Sequence, residues 1–342
     1  MDDGANLVLV TGASGYIASH VVRLLLQRGY RVRGTVRSLK NAAKVAPIRK
    51  LDIDGRLELV EADLMSDKGW NEAVKDCDFV QHVASPFPLV PDETTIPQAI
   101  NGTLNVLKVK VVLTSSCVAV NEGHKENRPF NEDTWTDLRD KTLDNYVRSK
   151  TLAEQTAWKF MKDLMPEDNH FKLTVINPVL VIGPPLIDVQ GSSVSLIRQI
   201  LQNELPALPR MQFPLVDVRD VALMHVEAMI RPESDGLRIL ASSQPSFWFK
   251  EIGQVLKKEF NQHGYKVTTL EAPTIAVWLM SCFDKQREFR FDTSKAERLL
   301  GTNFRIPDAS LIEMGYVMIE KGIVKKHKNY KGCPEKYAEY VQ

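Results

Sequence analysis

The chain has 342 residues, with 44 basic and 43 acidic side chains and a formal net charge of +1. That balance excludes a protein held on nucleic acid by bulk charge. A hydrophobic fraction of 44% excludes intrinsic disorder, and the length fits two domains or one large core with an appended lobe. Cys77, Cys117, Cys282 and Cys333 show no CxxC spacing and the histidines no HExxH, so no metal site is expected. The first residues carry no basic segment followed by an apolar one, and no apolar run has the length of a membrane span. A cytoplasmic protein with no membrane or nucleic-acid partner is the expectation.

In chain order, Leu7–Thr11 is a short apolar run suited to a strand buried on both faces. Tyr16–Arg28 has Ile17, Val21, Leu24 and Leu25 at helical spacing, with Gly29 to end it. Arg31–Val36 predicts a second strand, and Leu57–Val60, Phe79–Val83, Val109–Thr114 and Leu173–Val181 predict four more. Helical patterns lie between most of them. This alternation predicts an α/β protein with a doubly wound parallel Rossmann sheet. After Pro178, the prolines at 184, 185, 206, 209 and 214 break the chain into short pieces before an α/β pattern returns at Leu215–Met229. The expected division is 1–182 plus 211–230 as the dinucleotide domain, and 183–210 plus 231–342 as a smaller C-terminal substrate lobe.

Between the first strand and helix stands Thr11-Gly12-Ala13-Ser14-Gly15-Tyr16-Ile17-Ala18. Gly12 permits a tight turn, and Gly15 lets the backbone approach a pyrophosphate at the helix N-terminus. Gly12, Ser14, Gly15, Tyr16 and Ile17 are the candidate cofactor residues here. An NAD enzyme usually offers an acid after the second strand. From Gly4 to Leu51 there is no Asp or Glu, and there are nine Arg or Lys. Arg37 and Lys44 suit a 2′-phosphate, so NADP(H) is the expected cofactor; a merely solvated basic face is the alternative.

Tyr146 and Lys150 lie four apart in the helical run Tyr146–Leu164, so they share a face. The ammonium is expected to lower the phenol pKa and make Tyr146 a proton donor to a carbonyl oxygen. Ser116 follows the strand ending at Thr114, where the C-terminal strand ends of a parallel sheet face the ligand. Its hydroxyl can polarise the same oxygen. Ser116, Tyr146 and Lys150 are the candidate catalytic set.

With the run Asn177-Pro178-Val179-Leu180-Val181-Ile182-Gly183-Pro184, these motifs resemble an extended short-chain dehydrogenase/reductase. Within that superfamily the chain is similar to the dihydroflavonol reductase, cinnamoyl-CoA reductase and yeast aldehyde/ketone reductase group. Ser149-Lys150-Thr151-Leu152-Ala153-Glu154-Gln155 and Val216-Asp217-Val218-Arg219-Asp220-Val221-Ala222 support the likeness. The resemblance implies that Asp63 and Leu64 flank the adenine, and that Val83, Ala84 and Ser85 wrap the cofactor. It implies nicotinamide contacts from Pro178 to Val181, a phosphate or ribose contact from Ser193, and a ribose contact from Lys150. Asn121 stands where plant dihydroflavonol reductases contact a polyphenol, but Pro214 stands near where they place a glutamine. The KNWYCYxK signature of cinnamoyl-CoA reductases is replaced by Leu143-Asp144-Asn145-Tyr146-Val147-Arg148-Ser149-Lys150. Neither plant substrate is implied.

The expected function is an NADPH-dependent carbonyl reductase, or the reverse alcohol dehydrogenase, acting on a small molecule as a monomer or homodimer. A nucleotide-sugar epimerase or dehydratase is the alternative on the same fold. A second alternative is a catalytically weak dinucleotide-binding isoform. Its motive is the crossover 98–110, where the helix Gln98–Leu107 is followed at once by the strand beginning near Val109, while related reductases continue the helix further. A connection that short puts the placement of Ser116 at risk.

Overall fold

A computed structural model describes residues 5–66, 68–85, 110–124, 126, 128–163, 172–189, 191–272 and 289–341. The main strands are β1 (Leu7–Val10), β2 (Arg31–Val36), β3 (Leu57–Glu61), β4 (Phe79–His82), β5 (Lys110–Thr114) and β6 (Lys172–Pro178). Short strands β7 (Leu180–Ile182), β8 (Gln212–Phe213), β9 (Leu215–Asp217), β10 (Arg238–Ala241) and β11 (Phe247–Trp248) follow. Seven strands form one parallel sheet in the order β10-β6-β5-β4-β1-β2-β3. The order reverses direction between β1 and β4, where a doubly wound sheet opens its ligand crevice.

All four residues of β1 are buried, as expected for a strand covered on both faces. Helix α1 (Tyr16–Gln27) buries Ala18, Val21, Val22, Leu25 and Leu26 along one stripe. Gly29 follows at φ +87°, a left-handed turn that a side chain would strain. Shorter helices α2 (Ala42–Arg49) and α3 (Trp70–Val74) flank β3, and α4 (Asn145–Asp163) precedes β6. Then come α5 (Ser192–Leu201), α6 (Val218–Ile230), α7 (Phe249–Phe260), α8 (Ser294–Leu300) and α9 (Pro307–Glu320). Helix α6 packs on α1, and α9 packs on α5, α7 and the β7–β9 pair.

Two expectations need correction. The run Leu173–Val181 is not one strand. Pro178 ends the pairing of β6 with β10, and the next amides change partners: Val179 N–H donates to Ala241 O and Leu180 N–H to Pro214 O. The chain thereby leaves the main sheet and enters the small β7–β9 pair. Nor does the whole of 231–342 lie outside the main sheet, because β10 is its edge strand, wholly buried. Four residues opening on an arginine make a weak strand signal, and that arginine is itself buried. The crossover 98–110 lies outside the described residues except at Lys110. There the ammonium is buried and donates to Arg231 O and Ser234 Oγ beside Asp235.

Candidate active site

The glycine loop is fixed by main-chain bonds from two sides. Thr11 N–H donates to Gln81 O, and Ala84 N–H donates to Thr11 Oγ1 at 2.9 Å, which ties the ends of β1 and β4 together. Gly12 N–H donates to Thr35 Oγ1 at 2.9 Å and Ala13 N–H to Thr35 O, which ties the loop to β2. Gly12 has φ +65°, and a Cβ there would lie 2.9 Å from the Cβ of Ala84. Gly34 is required as well, since its Cβ would meet Ala13 Cβ at 2.8 Å. Gly15 caps α1 without a side-chain bond and the first turn holds no acid. The first intrahelical amide bond runs from Ser19 to Gly15 O. Its opening N–H groups and the dipole therefore suit an anion. This cradle, which a Cβ would fill, fits a dinucleotide pyrophosphate.

The side chain of Tyr16 is used elsewhere. Its hydroxyl donates to Gly183 O, and burial holds its pKa well above the ordinary value. Only its backbone is left for a phosphate; Ser14 and Ile17 are half-buried beside it. Arg37 is exposed just past β2 and has no hydrogen bond or ion pair among the described residues. Arg33, by contrast, is held by Glu58 and by the carbonyls of Glu72, Ala73 and Lys75. Lys44 is exposed on α2, its amide capped by Asn41 Oδ1. Asp63 accepts from Met65 N–H in a local turn, and Leu64 is half-buried beside it. Val83 and Ala84 are half-buried, and Ser85 is exposed. Pro178, Val179 and Val181 are buried and Leu180 half-buried, where the chain changes sheets. Ser193 is buried near the start of α5. Asn121 is 2% exposed and donates to Glu122 Oε1, so its amide faces away from solvent. Pro214 is buried, its carbonyl accepting from Leu180.

Ser116 lies just beyond β5, extended at φ −158°, and caps the short turn Cys117–Ala119. Its hydroxyl accepts from Val118 N–H at 3.4 Å and lies near enough to the phenol of Tyr146, half-buried in the first turn of α4, to lower its pKa. One turn later Lys150 donates from Nζ to Ser85 Oγ at 3.0 Å. The strand end, the helix and the β4 loop thus meet at one place. Burial pulls the Lys150 pKa down to about 8, opposed by the Glu154 carboxylate. The Tyr146 phenol pKa is raised rather than lowered: burial raises it, and the Ser116 hydroxyl opposes that. His82, at the end of β4, is buried and neutral, its pKa lowered to about 4 by burial and then by Lys150.

Thr11, Thr35, Gly34, Glu154, Asn177 and Arg238 also build the site, and sequence reasoning gave none of them a role. Glu154 carried a signal, since it follows Lys150 by four residues and shares its helix face. Arg238 carried none. Among the described residues no His, Cys, Asp and Glu cluster could hold a metal, and no helix is long and apolar enough to cross a membrane.

Residues 8–239 match the model of the NAD dependent epimerase/dehydratase family. A cinnamoyl-CoA reductase from Medicago truncatula is 38% identical over 307 residues, 78% of this chain and 92% of that protein. A bifunctional dihydroflavonol 4-reductase/flavanone 4-reductase from Pyrus communis is 33% identical over 281 residues, 77% of this chain and 79% of that protein. Among solved structures, the yeast methylglyoxal/isovaleraldehyde reductase complexed with NADPH is 28% identical with a TM-score of 0.76, covering 92% of this chain and 98% of that one.

Proposed function

The chain belongs to the NAD dependent epimerase/dehydratase family, and from that premise we propose that it is an NADPH-dependent reductase of aldehyde or ketone carbonyls, with the reverse alcohol oxidation. The observation that carries this reading is the meeting of Ser116, Tyr146 and Lys150 beside the β4 loop, where the Ser116 hydroxyl acts on the Tyr146 phenol and Lys150 bonds Ser85. Bound NADPH supplies a hydride for the carbonyl carbon. The Tyr146 hydroxyl donates its proton to the carbonyl oxygen, and the Ser116 hydroxyl donates a hydrogen bond to the same oxygen. With its pKa at about 8, Lys150 is mainly an ammonium at neutral pH and offsets the phenolate left behind.

Arg37, without a hydrogen bond or ion pair among the described residues, is the cation for the 2′-phosphate, and Lys44 follows it on α2. A tightly held NAD, as a nucleotide-sugar epimerase would need, lacks the usual acid at the end of β2. The backbone of the 12–17 loop would bind the pyrophosphate. Asp63, Leu64, Val83, Ala84, Ser85, Ser193 and the Pro178–Val181 stretch remain candidates for the rest of the dinucleotide. The test is loss of reduced-nicotinamide absorbance with isovaleraldehyde, methylglyoxal, a cinnamaldehyde and a dihydroflavonol, each with NADPH and with NADH. Turnover of at least one carbonyl with preference for NADPH supports the reading. A tightly bound, co-purifying NAD with no carbonyl turnover overturns it.

A further inference from the structure

Beneath Ser116 and Lys150 lies a buried ion pair that the chemistry above does not use. Glu154 is 1% exposed and Arg238 7%. Glu154 Oε1 accepts from Arg238 Nε at 2.5 Å and from Trp158 Nε1 at 3.3 Å. Its Oε2 accepts from Ser115 Oγ at 2.6 Å and from Asn177 Nδ2 at 2.7 Å. The same Asn177 amide donates to Ser116 O at 3.1 Å. Arg238 then uses Nη1 on the carbonyls of Glu132 and Thr134 and Nη2 on that of Ala119, with its guanidinium 3.6 Å over the Trp135 ring. One ion pair therefore joins α4, β6, β10, the turn after β5 and the 132–135 loop.

A buried ion pair is rarely the most stable filling for such a space, since apolar side chains of similar volume often serve as well or better. What it provides is direction. Residues 146, 150 and 154 share one face of α4. The helix that carries the proton donor and the cation is thereby bonded, through Glu154, to Ser115 and, through Asn177, to the carbonyl of Ser116.

We infer that Glu154 and Arg238 are positioning residues, which hold the Ser116 strand end in register with Tyr146 and Lys150. This rests on the Ser116–Tyr146–Lys150 reading above. A shift of about 1 Å at a reacting group costs on the order of 10²-fold in rate, so small losses of register are costly.

The test is the double change Glu154→Met with Arg238→Met, which removes both charges together, read beside Ser116→Ala and the triple variant. The probe reaction is isovaleraldehyde with NADPH. The expected result is a folded protein with unchanged NADPH Kd, kcat lower by on the order of 10²-fold, and faster amide exchange at 115–121 but not at 12–17. In the Ser116→Ala background the same double change should cost little more, because the group it positions is gone. Should the double variant not fold, Asn177→Ala leaves the ion pair in place. It should show the same exchange pattern, and the same non-additivity with Ser116→Ala. Full kcat in a folded variant, or an equal loss in both backgrounds, overturns the inference alone. Normal kcat in Ser116→Ala overturns the mechanism and the inference together.

Discussion

The two halves of the site are held by different means. The proposed cofactor half, from the glycine loop to the ends of β2 and β4, is fixed by main-chain amides, threonine hydroxyls and the absence of side chains at Gly12 and Gly34. The proposed catalytic half, between β5, α4 and β10, is fixed by buried charge and side-chain amides. The cofactor half tolerates little added volume, although its bonds also reach far along the chain, 73 residues from Thr11 to Ala84. Side-chain scaffolding joins residues 84 apart, as Glu154 and Arg238 are, and fails when one partner is lost.

That contrast can be broken at either end. The largest expected effect is in the catalytic half. Glu154→Ala leaves the Arg238 guanidinium buried without its carboxylate, which should cost about 3–5 kcal/mol of stability; urea unfolding measures it. A loss below about 1 kcal/mol, the range of an exposed pair, would mean that the pair is effectively solvated.

In the cofactor half, Gly12→Val forces a β-branched side chain to φ +65° and against Ala84. Strain of this kind costs about 1–3 kcal/mol, and NADPH affinity should fall with it. Calorimetry should show the loss in binding and melting together. Unimpaired NADPH binding by Gly12→Val would show that the loop is looser than its bonds imply.

Arg37→Ala should weaken NADPH about tenfold or more through lost charge-assisted bonds, with NADH affinity barely changed. Equal losses for both cofactors would take the 2′-phosphate away from Arg37. A smaller effect concerns pH. Lys150, with its pKa lowered to about 8, is charged below that pH and neutral above it. Under saturating NADPH the reduction rate should fall about tenfold per pH unit above pH 8, and Lys150→Arg should move that fall upward. A flat profile through pH 9 would remove the ammonium from the mechanism.

The same division explains what the sequence disclosed. The glycine loop, α1 and the first five strands are local patterns, so their places were legible within a residue or two. The positions of Ser116 after a strand and of Tyr146 and Lys150 one turn apart on a helix were legible because both patterns are local too. Strand β10 could not, since Arg238 reads as a surface charge until Glu154 is seen beneath it. The break at Pro178 was visible only as a proline, because the exchange of partners from Ala241 to Pro214 is non-local. The turning of Tyr16 toward Gly183 and of Lys150 toward Ser85 depends on chain segments brought together by the sheet.

The central claim is that Tyr146 is the proton donor of an NADPH-dependent carbonyl reduction. Tyr146→Phe keeps the ring and removes the proton. With isovaleraldehyde and NADPH, single-turnover rates of the two proteins compare the chemistry directly, and a separate titration compares cofactor binding. The rate should fall by about 10²–10⁴-fold while the NADPH Kd stays the same. A Tyr146→Phe protein that reduces the carbonyl at the original rate would contradict it.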